Sequence, residues 1–217
     1  TGETLARTDG LKQLRSSRVQ FNLGNLYLKD KRYDEAFSAY RRAIEVDPTE
    51  RDALPLYHAG QILLVNGKHS EAETYLAKAS SGYASPLTIR EEEIFHDYGL
   101  ALCFMQKLPE AVINFQKALV FNSGFTKALN NLACAAVIGS LSGMLPSDHF
   151  RLGIDALRQA LSIDPANILY WRNGVALAAM KGDQHLLGQF LRNMSDLDPA
   201  GAMAKPPSEC TWEFYFR

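Results

Sequence analysis

The 217 residues suffice for one or two compact domains or for a single elongated array. Hydrophobic residues make up 47% and charged residues 22%, enough apolar material for a core and too much for bulk disorder. Lys plus Arg (23) nearly balances Asp plus Glu (24), so no basic excess points to nucleic acid, and no apolar run nears the roughly 18 residues that span a bilayer.

Cys103, Cys134 and Cys210 are far apart, odd in number and without a CxxC pair, which favours a reducing compartment and weakly a cytoplasmic one. The chain opens on Thr1 rather than Met, so it reads as a processed product or an excised segment, with any upstream targeting signal out of view. Asn193-Met194-Ser195 fits a glycosylation sequon, which carries no meaning in a cytosolic protein.

In chain order, residues 1–16 form a lead-in whose Leu5, Leu11 and Leu14 suit a helix packing on the first repeat, with Gly10 interrupting it. Five segments then superimpose. Residues 17–50 give Leu23, Gly24 and Tyr27, then Ala36, Tyr40, Ala43 and Pro48. Residues 53–86 give Gly60 and Leu63, then Ala72, Leu76 and Ala79. A longer connection at Ser80–Ala84 leads to Ser85 as N-cap and Pro86 at the first helical position, and this predicts an extended helix over 86–106. Residues 92–125 give Gly99, Leu102, Ala111, Phe115 and Ala118.

Residues 126–167 give Leu132, Ala133 and Ala136, then Gly153, Leu157, Ala160 and Pro165. Here an insertion at 140–147 separates the two helices, and the second should restart at Ser147 or Asp148. The insertion is either a tolerated surface loop or a finger presenting Met144 and Leu145 to a partner. Residues 167–199 give Tyr170, Gly174 and Leu177, then Leu187, Leu191 and Pro199, with Asn173 where a Leu is usual and the second helix slipped by one residue. The tail 200–217 carries Trp212, Phe214, Tyr215 and Phe216, aromatics costly to expose. It is expected to fold back over the open end of the last pair, or else to recognise another chain.

Small residues at fixed places, large apolar ones between them and prolines ending the second helix define a repeated helix pair. These positions resemble the tetratricopeptide pattern over about residues 17–199. The resemblance implies an all-α, right-handed α-solenoid of about five helix-turn-helix pairs, whose small residues let paired helices cross closely and whose stability comes from stacking neighbours. It also implies a concave groove lined by the first helix of each pair. Transferred residue by residue, the groove would present Asn22 and Asn25, then Tyr57, His58 and Gln61, then Asn130 and Asn131, and last Trp171 and Arg172.

Amides could hold the backbone of an extended peptide, Tyr and Trp are frequent hot-spot types, and Arg172 could grip a carboxylate. The chaperone-tail clamp of this family is a separate case. At its five positions the first three repeats offer Phe21, Asn25, His58, Glu93 and Asp97, of which only Asn25 agrees. Such a clamp is therefore not expected.

His58, His69, His96, His149 and His185 are scattered, with no HExxH motif, and no phosphate-cradling glycine loop occurs, so neither an enzyme nor a metal or other cofactor is expected. The leading expectation is a protein-interaction scaffold or adaptor, holding an extended peptide or helix of a partner within a larger protein or complex. Two alternatives stand. One is the regulatory or substrate-recruiting portion of an enzyme whose catalytic domain lies elsewhere; the other is a self-associating module that pairs through its tail.

Overall fold

The computed structural model describes residues 17–46, 53–81 and 91–203, and every regular element among them is helical. In chain order these are α1 (17–29), α2 (Tyr33–Val46), α3 (Ala53–Val65), α4 (His69–Ser81), α5 (Glu91–Phe104) and α6 (Leu108–Phe121). They continue as α7 (Thr126–Leu141), α8 (His149–Ile163), α9 (Ile168–Lys181), α10 (Gln184–Ser195) and the short α11 (Pro199–Met203). The chain divides into two compact units between Ile94 and Phe95. The expectations for residues 1–16, for Asp47-Pro48, for the Ser85–Pro86 helix start and for the tail aromatics lie outside the described residues. No described helix is long and apolar enough to cross a membrane.

One lock recurs in four of the five pairs. A side-chain carbon added at Gly24 would lie 2.6 Å from the Tyr40 ring, at Gly60 2.7 Å from Leu76, at Gly99 2.8 Å from Phe115 and at Gly174 2.5 Å from Phe190. The large residue follows its glycine by sixteen positions each time. The glycine lets the second helix lie close, and the large side chain fills the space so opened. Tyr40, Leu76 and Phe115 are wholly buried. In the fourth pair the roles reverse: Gly153 of α8 meets the Ala133 carbonyl and Val137 of α7.

The fifth pair corrects the sequence reading. Its buried residues on α10 are Leu186, Phe190 and Met194, while Leu187 and Leu191 pack at the core's edge. Sixteen residues from Gly174 is Phe190, so the lock has not slipped. The α5 helix ends at Phe104 rather than Gln106, because Gln106 turns to φ 61°.

That turn is itself a repeat. Lys31 (φ 58°), Gly67 (φ 73°), Gln106 (φ 61°) and Gly182 (φ 73°) occupy the left-handed region between the helices of four pairs. Behind each, the next residue's N–H returns to a carbonyl five residues earlier: Arg32 to Tyr27 (2.8 Å), Lys68 to Leu63 (2.8 Å), Lys107 to Leu102 (2.9 Å) and Asp183 to Ala178 (3.1 Å). This is the Schellman closure of a helix end. Left-handed backbone costs a non-glycine residue about 1–2 kcal/mol. Gln106→Gly and Lys31→Gly are therefore expected to stabilise the fold by up to about 1 kcal/mol each, whereas Gly182→Ala should cost about as much. Chemical denaturation midpoints decide it, and a Gln106→Gly variant less stable than wild type would refute the strain.

In the first unit α3 packs on α2 and α4. Ala36, Tyr40, Ala59 and Ile62 form its buried cluster, with Phe21, Tyr27 and Phe37 against it. In the second, α7 packs against α6, α8 and α9, and α9 against α10. Asp148 precedes α8, Asp164 follows it, and the Asn167 and Asp183 side chains accept from Leu169 N and Leu186 N to cap α9 and α10.

Candidate functional site

In the first unit the expected groove residues fall into two groups. Asn22 and Asn25 are exposed on α1, three residues apart and hence on one face. Asn25 is oriented from below: Tyr40 Oη donates to its Oδ1 at 2.7 Å, which leaves the amide N–H donors to offer outward. Burial pushes the Tyr40 phenol well up, so it keeps the proton it donates.

On α3, Tyr57 and Gln61 are buried rather than presented at the surface, which corrects the expectation for these two. Gln61 Nε2 donates to Tyr57 Oη at 2.7 Å, and its Oε1 lies 3.1 Å from half-buried His58 Nδ1. His58 stacks on Tyr40 and Phe21 at ring separations of 5.5 and 6.0 Å. These side chains support the face rather than form it. Beside them Leu28, Tyr33, His58, Gln61, Ile62 and Val65 line a shallow, mostly apolar surface hollow too tight to hold a water molecule.

The second unit overturns the reading of Asn130 and Asn131, both 0% exposed. They belong to an interior chain of hydrogen bonds. Asn173 Nδ2 donates to Asn130 Oδ1 (2.8 Å), Asn130 Nδ2 to Asn131 Oδ1 (3.1 Å), and Asn131 Nδ2 lies 3.0 Å from His96 Nε2. His96 Nδ1 in turn lies 2.9 Å from Asp97 Oδ1. Asn side chains are buried when they satisfy one another, and here three helices supply the partners. Asn130→Ala removes an acceptor from Asn173 and a donor from Asn131, so a cost of about 2 kcal/mol is expected. A neutral effect on the denaturation midpoint would mean that the chain does not hold the helices.

Trp171 and Arg172 lie at the start of α9. Trp171 is half-buried, donates from Nε1 to Pro165 O (2.8 Å) and meets Phe190 edge-on at 6.2 Å. Arg172 is exposed, 3.6 Å from Asp198, a surface ion pair of small worth. In the insertion, α7 runs on to Leu141 and Gly143 turns the loop at φ 77°. Leu145 is half-buried: its N–H returns to Gly139 O (2.9 Å) and its side chain packs on Gly139, leaving Met144 at the exposed tip. The loop is thus tied to its own helix.

Cys103 and Cys134 are buried outside any disulfide, and burial pushes the Cys103 thiol well up, away from nucleophilic chemistry. Among the described residues no group of His, Cys, Asp or Glu is arranged to hold a metal ion.

Comparison with known proteins agrees with this architecture. The tetratricopeptide repeat family model matches residues 17–50. No curated protein matches the chain in sequence. Among solved structures, YrrB, described as a TPR protein with an unusual peptide-binding site, superimposes at a TM-score of 0.68 with 20% identity, over 85% of this chain and 88% of that one. MamA from Desulfovibrio magneticus RS-1 gives 0.69 with 18% identity, over 85% and 96%. The first TPR of Spaghetti (RPAP3), bound to the HSP90 peptide SRMEEVD, gives 0.50 with 23% identity, over 56% and 91%. Residues 17–50 thus match the tetratricopeptide repeat family model, and the described helices share the fold of these tetratricopeptide-repeat structures.

Proposed function

We propose that the chain is a protein-interaction scaffold without catalytic chemistry of its own, and that its first unit holds an extended peptide of a partner against α1 and α3. The observation that carries this reading is the Asn22–Asn25 edge beside the apolar hollow. Two exposed amides sit on one face, and one of them is fixed by a buried tyrosine so that its donors are offered outward. Fixing a donor before binding lowers the ordering cost of association. Leu28, Tyr33, Ile62 and Val65 give an apolar side chain of the peptide a neighbouring surface. YrrB and RPAP3, which share the fold, are described as peptide binders, and this supports the same reading here.

The peptide is neutral or apolar rather than a chaperone's acidic tail, since Glu93 and Asp97 stand where a carboxylate clamp would carry cations. The near balance of charge gives no electrostatic reason for a nucleic-acid partner. The buried thiols suit a reducing, cytoplasmic setting.

The test begins with peptides selected from a random library on the whole chain. Their affinity is then compared between wild type and Asn22→Ala/Asn25→Ala, under conditions where denaturation shows the variant fully folded, because Asn25→Ala takes the acceptor from the buried Tyr40 hydroxyl. Two lost hydrogen bonds of about 1 kcal/mol each predict roughly a 30-fold weaker complex. An unchanged affinity would remove α1 from the site.

A further inference from the structure

We propose that the inner face of the second unit is occupied by the chain's own aromatic tail, residues 204–217, lying across α9, α7 and α5 as a tethered ligand. The starting point is a groove floor that no water reaches. On α7, Asn131 meets His96 of α5 and Asn130 receives from Asn173 of α9, so these two side chains mark the directions of the flanking helices. Lys127 and Cys134 each stand three and four residues from the two asparagines, and Ile138 one turn further. They share the face that looks between α5 and α9. In an array of helix pairs, that face opens onto the groove. Cys134 is nevertheless 0% exposed. Its counterparts after Gly99 and Gly174 are Leu100 of α5 and Val175 of α9, 0% and 1% exposed. All of residues 128–137 are buried, which takes in every side of α7. A floor sealed in this way has something lying on it.

The tail is the segment that fits. The lead-in 1–16 enters α1 in the first unit and carries no aromatic residue, and 47–52 and 82–90 are tied to helices at both ends. Residues 204–217 leave from the second unit and carry Trp212, Phe214, Tyr215 and Phe216, which are costly to expose. Their starting place is favourable. Asp198, just before α11, lies 3.6 Å from Arg172, and Arg172 stands three residues before Val175 on the same face of α9. Neighbouring helices lie about 8–10 Å apart, so α5 is about 20 Å from α9 across the face. The fourteen residues reach about 46 Å when extended.

The chemistry of the two surfaces agrees. Leu100, Cys134 and Val175 give the rings an apolar floor, and Lys127 and Asp97 are opposite in sign to Glu213 and Arg217 of the tail. A tethered segment acts at an effective concentration of about millimolar. A partner that enters this face must therefore outcompete the tail with an extended, aromatic segment of its own. The peptide site on α1 and α3 belongs to the first unit and stands or falls separately.

The experiment follows Trp212 in the whole chain, with Trp171→Phe as background so that one tryptophan remains. The expected result is a shielded indole, its emission shifted to the blue and little quenched by acrylamide. Ile138→Arg, on the groove face of α7, should release it to an exposed and quenchable state with helical content kept. Should that variant not fold, Cys134 is read instead in Phe214→Ser/Phe216→Ser, which alters none of the described helices. Alkylation of Cys134, mapped by mass spectrometry, should rise roughly tenfold or more there, and a synthetic 204–217 peptide should slow it again. The proposal is overturned if Trp212 is exposed in the background chain, or if Cys134 stays unreactive in the tail variant. It is overturned equally if folded Ile138→Arg leaves Trp212 shielded, as a tail resting on Leu197 at the end of the last pair would be. Shielding lost on dilution would assign the tail to a second copy and overturn it too.

Discussion

Phe115→Ala is expected to destabilise the second unit by about 3–5 kcal/mol, the usual loss for emptying a buried aromatic site. Phe115 has no exposed surface and packs over Gly99, whose missing side chain would lie 2.8 Å from the ring. Its ring also lies 5.8 Å from His96, so the interior hydrogen-bond chain loses its cover at the same time. Neighbouring helices cannot close the gap, since Gly99 has no side chain to lend. The measurement is isothermal chemical denaturation followed by circular dichroism. A double-mutant cycle sharpens it: Gly99→Ala alone should destabilise, and adding Phe115→Leu should recover part of that loss. Strict additivity would mean that the glycine and the ring are not one lock.

Gly153→Ala should be the most damaging of the glycine-to-alanine changes, at or above the upper end of the 1–3 kcal/mol typical of overpacking. A side-chain carbon there would lie 2.7 Å from Val137 Cγ2 and 2.8 Å from the Ala133 carbonyl oxygen. At Gly60 the nearest atoms are the tip of Leu76, 2.7 and 2.8 Å away, and a leucine can turn. A backbone carbonyl cannot, so α7 and α8 must separate. Gly153→Ala and Gly60→Ala measured side by side decide the matter, and equal costs would deny that backbone approach limits the fourth pair.

The helix pairs were legible in the sequence because their lock is written in residue size. Gly24 with Tyr40 and Gly99 with Phe115 can be read without coordinates, and so can the break at 140–147. Where matching favoured leucines over spacing, it misplaced the register: Leu187 and Leu191 resemble the pattern, but counting sixteen from Gly174 reaches Phe190. The left-handed turn stayed hidden because Lys31 and Gln106 occupy it as well as Gly67 and Gly182, and backbone angle is not a composition signal.

Of the candidate site, Asn22, Asn25 and Arg172 lie at the surface as their polarity suggested, whereas Asn130 and Asn131 do not. A polar residue reads as exposed unless its partners are known, and theirs come from α5 and α9, distant in the chain. One trace was visible. Asn173 stands where the repeat calls for leucine, and a polar residue in a core position implies another to meet it.

The central claim, that a partner peptide lies on α1 and α3, is tested most directly by hydrogen exchange of the whole chain with and without a library-selected peptide. The account predicts added protection on α1 around Asn22 and Asn25 and on α3 around His58, absent in Asn22→Ala/Asn25→Ala. Protection confined to the 142–148 loop, or to the exposed Val120 and Phe121 of α6, would contradict it and move the site to the second unit.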